Sequence, residues 1–387
     1  MLGQFEADLE DALGEGKIPG LVVGLTSGES TQYEAAFGMR STRTSSPMTV
    51  DTVFNIASMT KPIAGAAIMQ LVEKKILDLD TPASAIIPYL GEVKVLEGFG
   101  ATGEAVTRSP KSSITLRHLL THTSGFSSDW CNVLLDQYLS TTRHPRMSTG
   151  KKKALKVPLV FDPGEKWGYG VSIDWAGLIL EEVTGITLHE YIKTYITDPL
   201  GMFDTTYFPS DEMKSRMASV HTPQINKGFE ANEHVAILDR EYWGGGGGMY
   251  STVGDYMRFI RMILNDGKAA DFELFKPDTI KLMTQNAMGD NRVEMLMSAH
   301  KNIANDAEFF PGLKKTWGLT FQINEQKTPT GRSPGSLSWS GIFNTYFWID
   351  PERNIGGVFL SQLRPWMDVS ALSLFEKFET SVYQDFV

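Results

Sequence analysis

The spacing in this chain best suited to covalent chemistry is a serine three residues ahead of a lysine at the mouth of an apolar helix, in Asn55-Ile-Ala-Ser-Met-Thr-Lys61. On a helix, positions three apart share a face one turn apart, so the Ser58 hydroxyl and the Lys61 amine can meet. A hydroxyl is a poor nucleophile until a neighbouring base takes its proton, and an amine does so only when partly deprotonated. Two local effects push Lys61 that way: the positive end of the helix dipole and partial burial both disfavour an ammonium. The same turn aims the backbone N–H of Ser58 at the place where a tetrahedral oxyanion would form. An ordinary helix with a surface lysine meets this spacing too, so it needs company elsewhere in the chain.

Two further stretches supply it. In Gly168-Tyr169-Gly170-Val171 the tyrosine could pass a proton between serine and leaving group if a cation holds its phenol poised; the bland reading is a core aromatic. In Ser338-Trp339-Ser340-Gly341, on a strand, the small glycine lets a carbonyl substrate lie against the backbone, and a following N–H completes an oxyanion hole.

The elements that must position these residues follow from periodicity. From Met59 to about Lys74, Ile63, Ala67, Ile68 and Leu71 fall at helical spacing, and Pro62 sits in the first turn, where its missing N–H costs nothing. Phe5 to Leu13 reads as a helix, and Gly20 to Thr26 and Gln32 to Gly38 as a hairpin. Residues 79–232 show mainly helical period, in Leu116 to Thr121, Trp175 to Thr184 and Leu188 to Thr197. After the glycine run Gly244 to Gly248 come helices from Val253 to Asn265 and Pro277 to Thr284. Strands follow at Trp317 to Asn324, Ser336 to Gly341, Thr345 to Asp350 and Gly356 to Gln362, and last an amphipathic helix, Val369 to Phe386. Short-linked strands imply antiparallel pairing. The expected architecture is α+β: an antiparallel sheet domain flanked by terminal helices (1–78 and 233–387), a mainly helical domain inserted at 79–232, and an active site in the cleft between them.

With 387 residues the chain can bury a large core, and its net charge of −10 argues against nucleic acid or an anionic membrane surface as partner. Cys131 is the single cysteine, so no intrachain disulfide is possible; it reads as a small buried hydrophobe. The N-terminus lacks a basic segment followed by an apolar one, and the longest apolar run, about Pro62 to Val72, is too short to span a bilayer. These features suggest a cytoplasmic location.

In chain order the three stretches resemble the serine hydrolases of the class C β-lactamase and penicillin-binding protein superfamily. Leu119-Leu-Thr-His-Thr-Ser-Gly125, Glu182-Val-Thr-Gly185, Pro199-Leu-Gly-Met202 and Gly247-Gly-Met-Tyr-Ser251 look like its recurrent signatures. Within it the chain is most similar to the family VIII carboxylesterases and the related fungal acyltransferase that attaches the lovastatin side chain, through Val95-Leu-Glu-Gly-Phe99 and Tyr169-Gly-Val-Ser-Ile-Asp-Trp-Ala-Gly177. The resemblance implies a β-lactamase/transpeptidase-like fold, Ser58 as acylated nucleophile, Lys61 as its base, Tyr169 as shared acid and base, and an oxyanion hole from the backbone N–H groups of Ser58 and Ile342. Trp339, Ser340, Gly341 and Val171 would meet the substrate, with no cofactor and no metal. Two departures stand out: Val171 replaces the Asn, and Trp339 the Lys, with which penicillin-recognising members hold an anionic amide. The expected substrates are therefore esters with short or medium apolar acyl groups, with β-lactam turnover weak or absent. Acyl transfer to an alcohol uses the same intermediate, and a non-catalytic binding role is the third possibility.

Several motifs are expected to be decoys. Gly331-Arg-Ser-Pro-Gly335 matches GxSxG, but strand-like sequence follows it and no histidine occurs after His300. His118 and His122 have metal-pair spacing with no third ligand in view. The glycine run lacks the ending of a phosphate-binding loop and instead suits close backbone approach to the site. Lys151 to Lys153, with Arg143 and Arg146, read as solvated surface. Trp130, Trp243, Phe343 and Trp366 could line an acyl pocket, though each is more often core.

Overall fold

The computed structural model describes residues 2–225, 228–232, 239–269 and 272–387. Strand β1 (Gly20–Ser27) turns Leu21, Val23 and Leu25 to one side and Val22 to the other, and all four are buried, which requires cover on both faces. It lies inside an eight-stranded sheet with β2 (Thr31–Ser41), β3 (Ser46–Pro47), β4 (Lys315–Trp317), β5 (Gln322–Asn324), β6 (Leu337–Gly341), β7 (Thr345–Asp350) and β8 (Ile355–Leu360). The order is β4-β5-β6-β7-β8-β1-β2-β3, antiparallel throughout, so the first strand and the last, β1 and β8, are neighbours, with Val22 opposite Leu360 and Ser27 opposite Ile355.

Helices α1 (Gly3–Gly14) and α5 (Val369–Asp385) cover one face. There Phe5, Leu9, Phe375 and Phe378 meet Leu21, Val23, Tyr346 and Trp348, and the Tyr346 and Phe375 rings stack at 4.6 Å. Helices α2 (Thr60–Glu73) and α4 (Val253–Leu264) cover the other with Ile63, Tyr256, Met257 and Ile260 against Val22, Phe347 and Val358. Each such side chain stabilises the fold by roughly 1.5–3 kcal/mol. Gly24 allows α4 to come this close: a Cβ there would lie 2.3 Å from Val253 Cγ1. Caps fix where the helices begin, Asp368 accepting from the Ser370 and Ala371 amides and Thr252 from the Asp255 amide. Every residue of α2 from Thr60 to Leu71 is buried, as expected of a central helix that is apolar nearly all round.

Residues 79–232 are less uniformly helical than their periodicity implied. The helices Leu116–Leu120, Val133–Thr142, α3 (Ser172–Thr184), Leu188–Ile192 and Asp211–Ser215 lie between two small hairpins, Val95–Phe99 with Ala105–Arg108 before them and Val220–Pro223 with Phe229–Asn232 after them. The first hairpin shifts register between Leu96 and Gly98, and Gly98 at φ +152° obscures the alternation that would have announced it. The expected boundary at 233 abuts residues 233–238, outside the described residues. The strand expected over Trp317 to Asn324 is two strands with a turn between them. Thr320 leaves the sheet to donate its hydroxyl to Lys61 O at 2.8 Å, and Leu319 N donates to Met283 O at 2.8 Å. Among the described residues no helix is long and apolar enough to cross a membrane.

Candidate active site

Ser58 sits in a short 3-10 turn, Ala57–Met59, that feeds directly into α2, so Lys61 falls in the first helical turn. The chain enters this turn from Asn55, whose backbone is clamped by one side chain: Asn55 N donates to Gln362 Oε1 at 2.8 Å and Gln362 Nε2 donates to Asn55 O at 3.1 Å. Asn55 Oδ1 in turn accepts from Ala57 N at 2.9 Å. Ala57 holds φ +44°, a left-handed conformation that costs a non-glycine residue roughly 1–2 kcal/mol. The end of β6 presses on the same turn, since a Cβ on Gly341 would lie 2.4 Å from Ile56 O. Tyr256 closes it from α4 by donating to Met59 O at 3.0 Å.

Lys61 is 3% exposed, and its Nζ donates to Ser58 Oγ at 3.1 Å and to Gly246 O at 2.7 Å. The amine also stands 4.6 Å from the centre of the Tyr169 ring. An amine touching a serine hydroxyl inside a cleft is the arrangement needed to take that hydroxyl's proton. The glycine run expected to approach the site does so through Gly246.

Tyr169 is pinned through its backbone and its ring. Gly168 N donates to His122 O at 2.8 Å, while Tyr169 O accepts from Ser127 Oγ at 3.1 Å and Cys131 Sγ at 3.4 Å. Gly170 is required next to it, because a Cβ there would lie 2.3 Å from Ser127 Cα. The phenol oxygen accepts from Trp339 Nε1 at 3.2 Å. His122 lies against the phenol ring at 4.6 Å, and burial, with the nearby Lys61 cation, holds its imidazole well below the usual range and therefore neutral. Cys131 has its thiol pushed up to about 12 by burial, which leaves it unreactive as a nucleophile.

Ser58, Lys61, Tyr169 and Val171 line one cleft of about 310 Å³, together with Trp130, Tyr242 and Tyr250 on its aromatic walls and Asp129, Asp174 and Arg240 among its charged groups. Trp339, Ser340 and Gly341, expected to meet the substrate, lie outside this lining. On β6 all three are buried: Trp339 reaches the cleft through its bond to Tyr169, and Gly341 backs the serine turn. Ile342 is half-buried and packs with Ala57 at the edge of that turn.

Of the four aromatics considered for an acyl pocket, Trp130 lines the cleft. Trp366 packs behind it at 5.8 Å, Trp243 packs on Phe208 at 4.4 Å, and Phe343 packs near Ala57. Arg146 is not merely solvated, since it holds Asp129 and Asp136 at the rim. His118 caps its helix by accepting from Thr115 N at 3.3 Å, and among the described residues no group of three or more His, Cys, Asp or Glu could hold a metal ion. Ser333 of the GxSxG match lies in a loop, its amide donating to Asp350 Oδ2 at 2.8 Å. Sequence reasoning missed Asp174, Arg240, Tyr242 and Tyr250. For Asp174 a signal was present: a lone carboxyl inside the apolar run of α3, in the same stretch as Tyr169.

The sheet, its helical cover and this cleft define a β-lactamase/transpeptidase-like fold. The chain belongs to the beta-lactamase family, whose sequence profile matches residues 5–376. It is 32% identical to the ML-236A carboxylate methylbutanoyltransferase of Penicillium citrinum over 99% of this chain and 94% of that protein. It is 30% identical to the lovastatin esterase of Penicillium rubens over 92% of this chain and 91% of that one. Among solved structures, the unliganded simvastatin synthase from Aspergillus terreus superposes with a TM-score of 0.84 at 29% identity, covering 99% of this chain and 98% of the other. The relatives are thus acyltransferases and esterases of one fold.

Proposed function

We propose that this protein is a serine carboxylesterase, of the family VIII kind, that forms an acyl-enzyme on Ser58. The observation that carries the reading is the Lys61 amine 3.1 Å from the Ser58 hydroxyl in a cleft. Lys61 takes the hydroxyl proton as Ser58 Oγ attacks the ester carbonyl. The backbone N–H groups of Ser58 and Ile342 receive the oxyanion, and Tyr169 passes a proton to the departing alcohol. Water then enters by the reverse of the same steps. The cleft lies at the small end of the range for ligand sites, and Val171, Trp130 and Tyr242 on its walls favour short or medium apolar acyl groups over an anionic amide, so β-lactam turnover is weak or absent. No cofactor or metal is required. We place the cleft between the sheet domain (1–78 and 233–387) and the inserted domain (79–232). The enzyme works in the cytoplasm on a small molecule, without nucleic acid or membrane as partner.

A second reading, transfer of the acyl group to an alcohol acceptor, is favoured by the whole-length similarity to a methylbutanoyltransferase. It differs only in whether water or an alcohol reaches the acyl-serine. The test is intact-mass detection of the acyl adduct from p-nitrophenyl esters of graded chain length, with Ser58→Ala as control and added alcohols competing with water. An adduct on the wild type and none on Ser58→Ala is expected; labelling that survives Ser58→Ala would reject the site.

A further inference from the structure

Asp174 is a carboxyl group buried inside an apolar helix, 5% exposed, and the chemistry just proposed does not use it. Its position is specific. Asp174 lies on α3, five residues after Tyr169, and its Oδ1 accepts from Gly246 N at 3.2 Å. The glycine run is shaped around this carboxyl: a Cβ on Gly244 would lie 2.9 Å from Oδ1, and a Cβ on Gly246 2.7 Å from Oδ2. Gly246 is also the residue whose carbonyl accepts from Lys61 Nζ at 2.7 Å, so the two sides of one glycine face an amine and a carboxyl. Tyr207 steadies the other end by donating to Gly244 O at 2.7 Å. Burial raises the Asp174 carboxyl above its ordinary range while the Lys61 cation opposes that rise, so the two groups feel one another across the glycine.

Five glycines in a row have little intrinsic reason to hold one conformation, because glycine loses more backbone freedom on ordering than any other residue. An anchored acceptor for Gly246 N removes that freedom where Lys61 needs a fixed carbonyl. We infer that Asp174 is a positioning residue for Lys61, its carboxyl holding the Gly244–Gly246 backbone so that Gly246 O keeps the amine against Ser58 Oγ. It acts through the glycine backbone and does not touch the reacting atoms. The inference rests on the reading of Ser58 and Lys61 given above, and deepens it.

The test uses the single-turnover acylation rate and the KM for a p-nitrophenyl ester, with unfolding midpoint and near-ultraviolet circular dichroism as checks on folding. Asp174→Ala is expected to slow acylation by roughly ten- to a hundredfold with KM changed by less than about threefold, the scale on which small misplacements of a catalytic group act. Asp174→Asn keeps an oxygen acceptor for Gly246 N and is expected to stay within about threefold of wild type. Gly246→Ala, whose new methyl displaces the carboxyl, should reproduce the loss. In the Asp174→Ala background, where nothing is left to displace, it should cost less than about twofold more. Should Asp174→Ala not fold, Gly246→Ala and Asp174→Asn carry the test by themselves. Wild-type acylation in Asp174→Ala, a raised KM with an unchanged rate, or fully multiplicative losses in the double variant would each overturn the inference. Ser58→Ala run in parallel separates the two levels: if it still acylates, the site reading fails, whereas if it is silent while Asp174→Ala behaves as wild type, only the role of Asp174 fails.

Discussion

Replacing Trp339 with Phe removes one hydrogen-bond donor and leaves a ring in place against Tyr169, whose phenol oxygen accepts from the indole at 3.2 Å with the ring centres 5.1 Å apart. A hydrogen bond to a neutral hydroxyl is worth about 0.5–1.5 kcal/mol net, and one to a charged oxygen about 1.5–3 kcal/mol. If Tyr169 gains negative character while it moves a proton, the indole bond strengthens during the reaction, and only that increment enters the barrier. The increment is about 1–1.5 kcal/mol. At about 1.4 kcal/mol per tenfold change in rate, Trp339→Phe should slow acylation by roughly five- to tenfold. The bond is lost from the resting protein as well, so stability should fall by about 1 kcal/mol. Rapid-mixing measurement of the p-nitrophenol burst from p-nitrophenyl butyrate reads the acylation step, and urea unfolding reads the second quantity. A burst rate unchanged within twofold, in a protein destabilised as expected, would refute the reasoning, because the indole bond would then not strengthen as Tyr169 acts.

Three other outcomes can be checked by unfolding measurements. Gly24→Ala drives a methyl to 2.3 Å from Val253 Cγ1, and overpacking of this kind should cost about 1–3 kcal/mol in urea. Arg332 and Glu379, with side chains 2% and 0% exposed, form a buried ion pair; Arg332→Met, which leaves the carboxylate the Thr330 hydroxyl but no cation, should cost about 3–5 kcal/mol, and adding Glu379→Leu should recover much of it. Asp255 has its carboxyl raised to about 6 by burial, although Thr205 and the Asp204 amide bond to it. A carboxyl whose folded value lies above its unfolded value favours the protonated folded form, so its ionisation withdraws stability as pH rises from about 4 to 6. Asp255→Asn should therefore raise the unfolding midpoint relative to wild type more at pH 7.5 than at pH 4, and an equal difference at both would contradict the assignment.

What could be read from the sequence was what depends on near neighbours. Ser58 and Lys61 meet because helical spacing makes them meet, and the faces of β1 and α4 follow from the periods of two and 3.6. The expectation of a sheet drawn from both chain ends came from short strand connections and needed no distant contact. Three-dimensional information enters where the readings fell short. Trp339 looked like a substrate contact because the family resemblance places a substrate-holding residue there, and a strand pattern does not say which element packs over it; here Tyr169 arrives from another part of the chain and takes the indole. The strand over Trp317 to Asn324 breaks because Thr320 bonds to a carbonyl of α2, a partner that no local pattern can supply. Asp174 was visible as an odd carboxyl in an apolar run, yet its meaning depends on a glycine far along the chain. The neighbour of His122 across the core, the Tyr169 ring, was not legible from a helix and the turn after it.

The clamp that Gln362 places on Asn55 has a consequence for biosynthesis. The residues around Ser58 leave the ribosome well before their restraint does, since Gln362 lies 307 residues beyond Asn55 and follows every strand of the eight-stranded sheet. A nascent chain paused before that glutamine emerges would carry the serine and the amine without the entry that fixes their relative orientation. Translation thus delays competence until Gln362 has emerged, and chains cut short before it should carry no esterolytic activity.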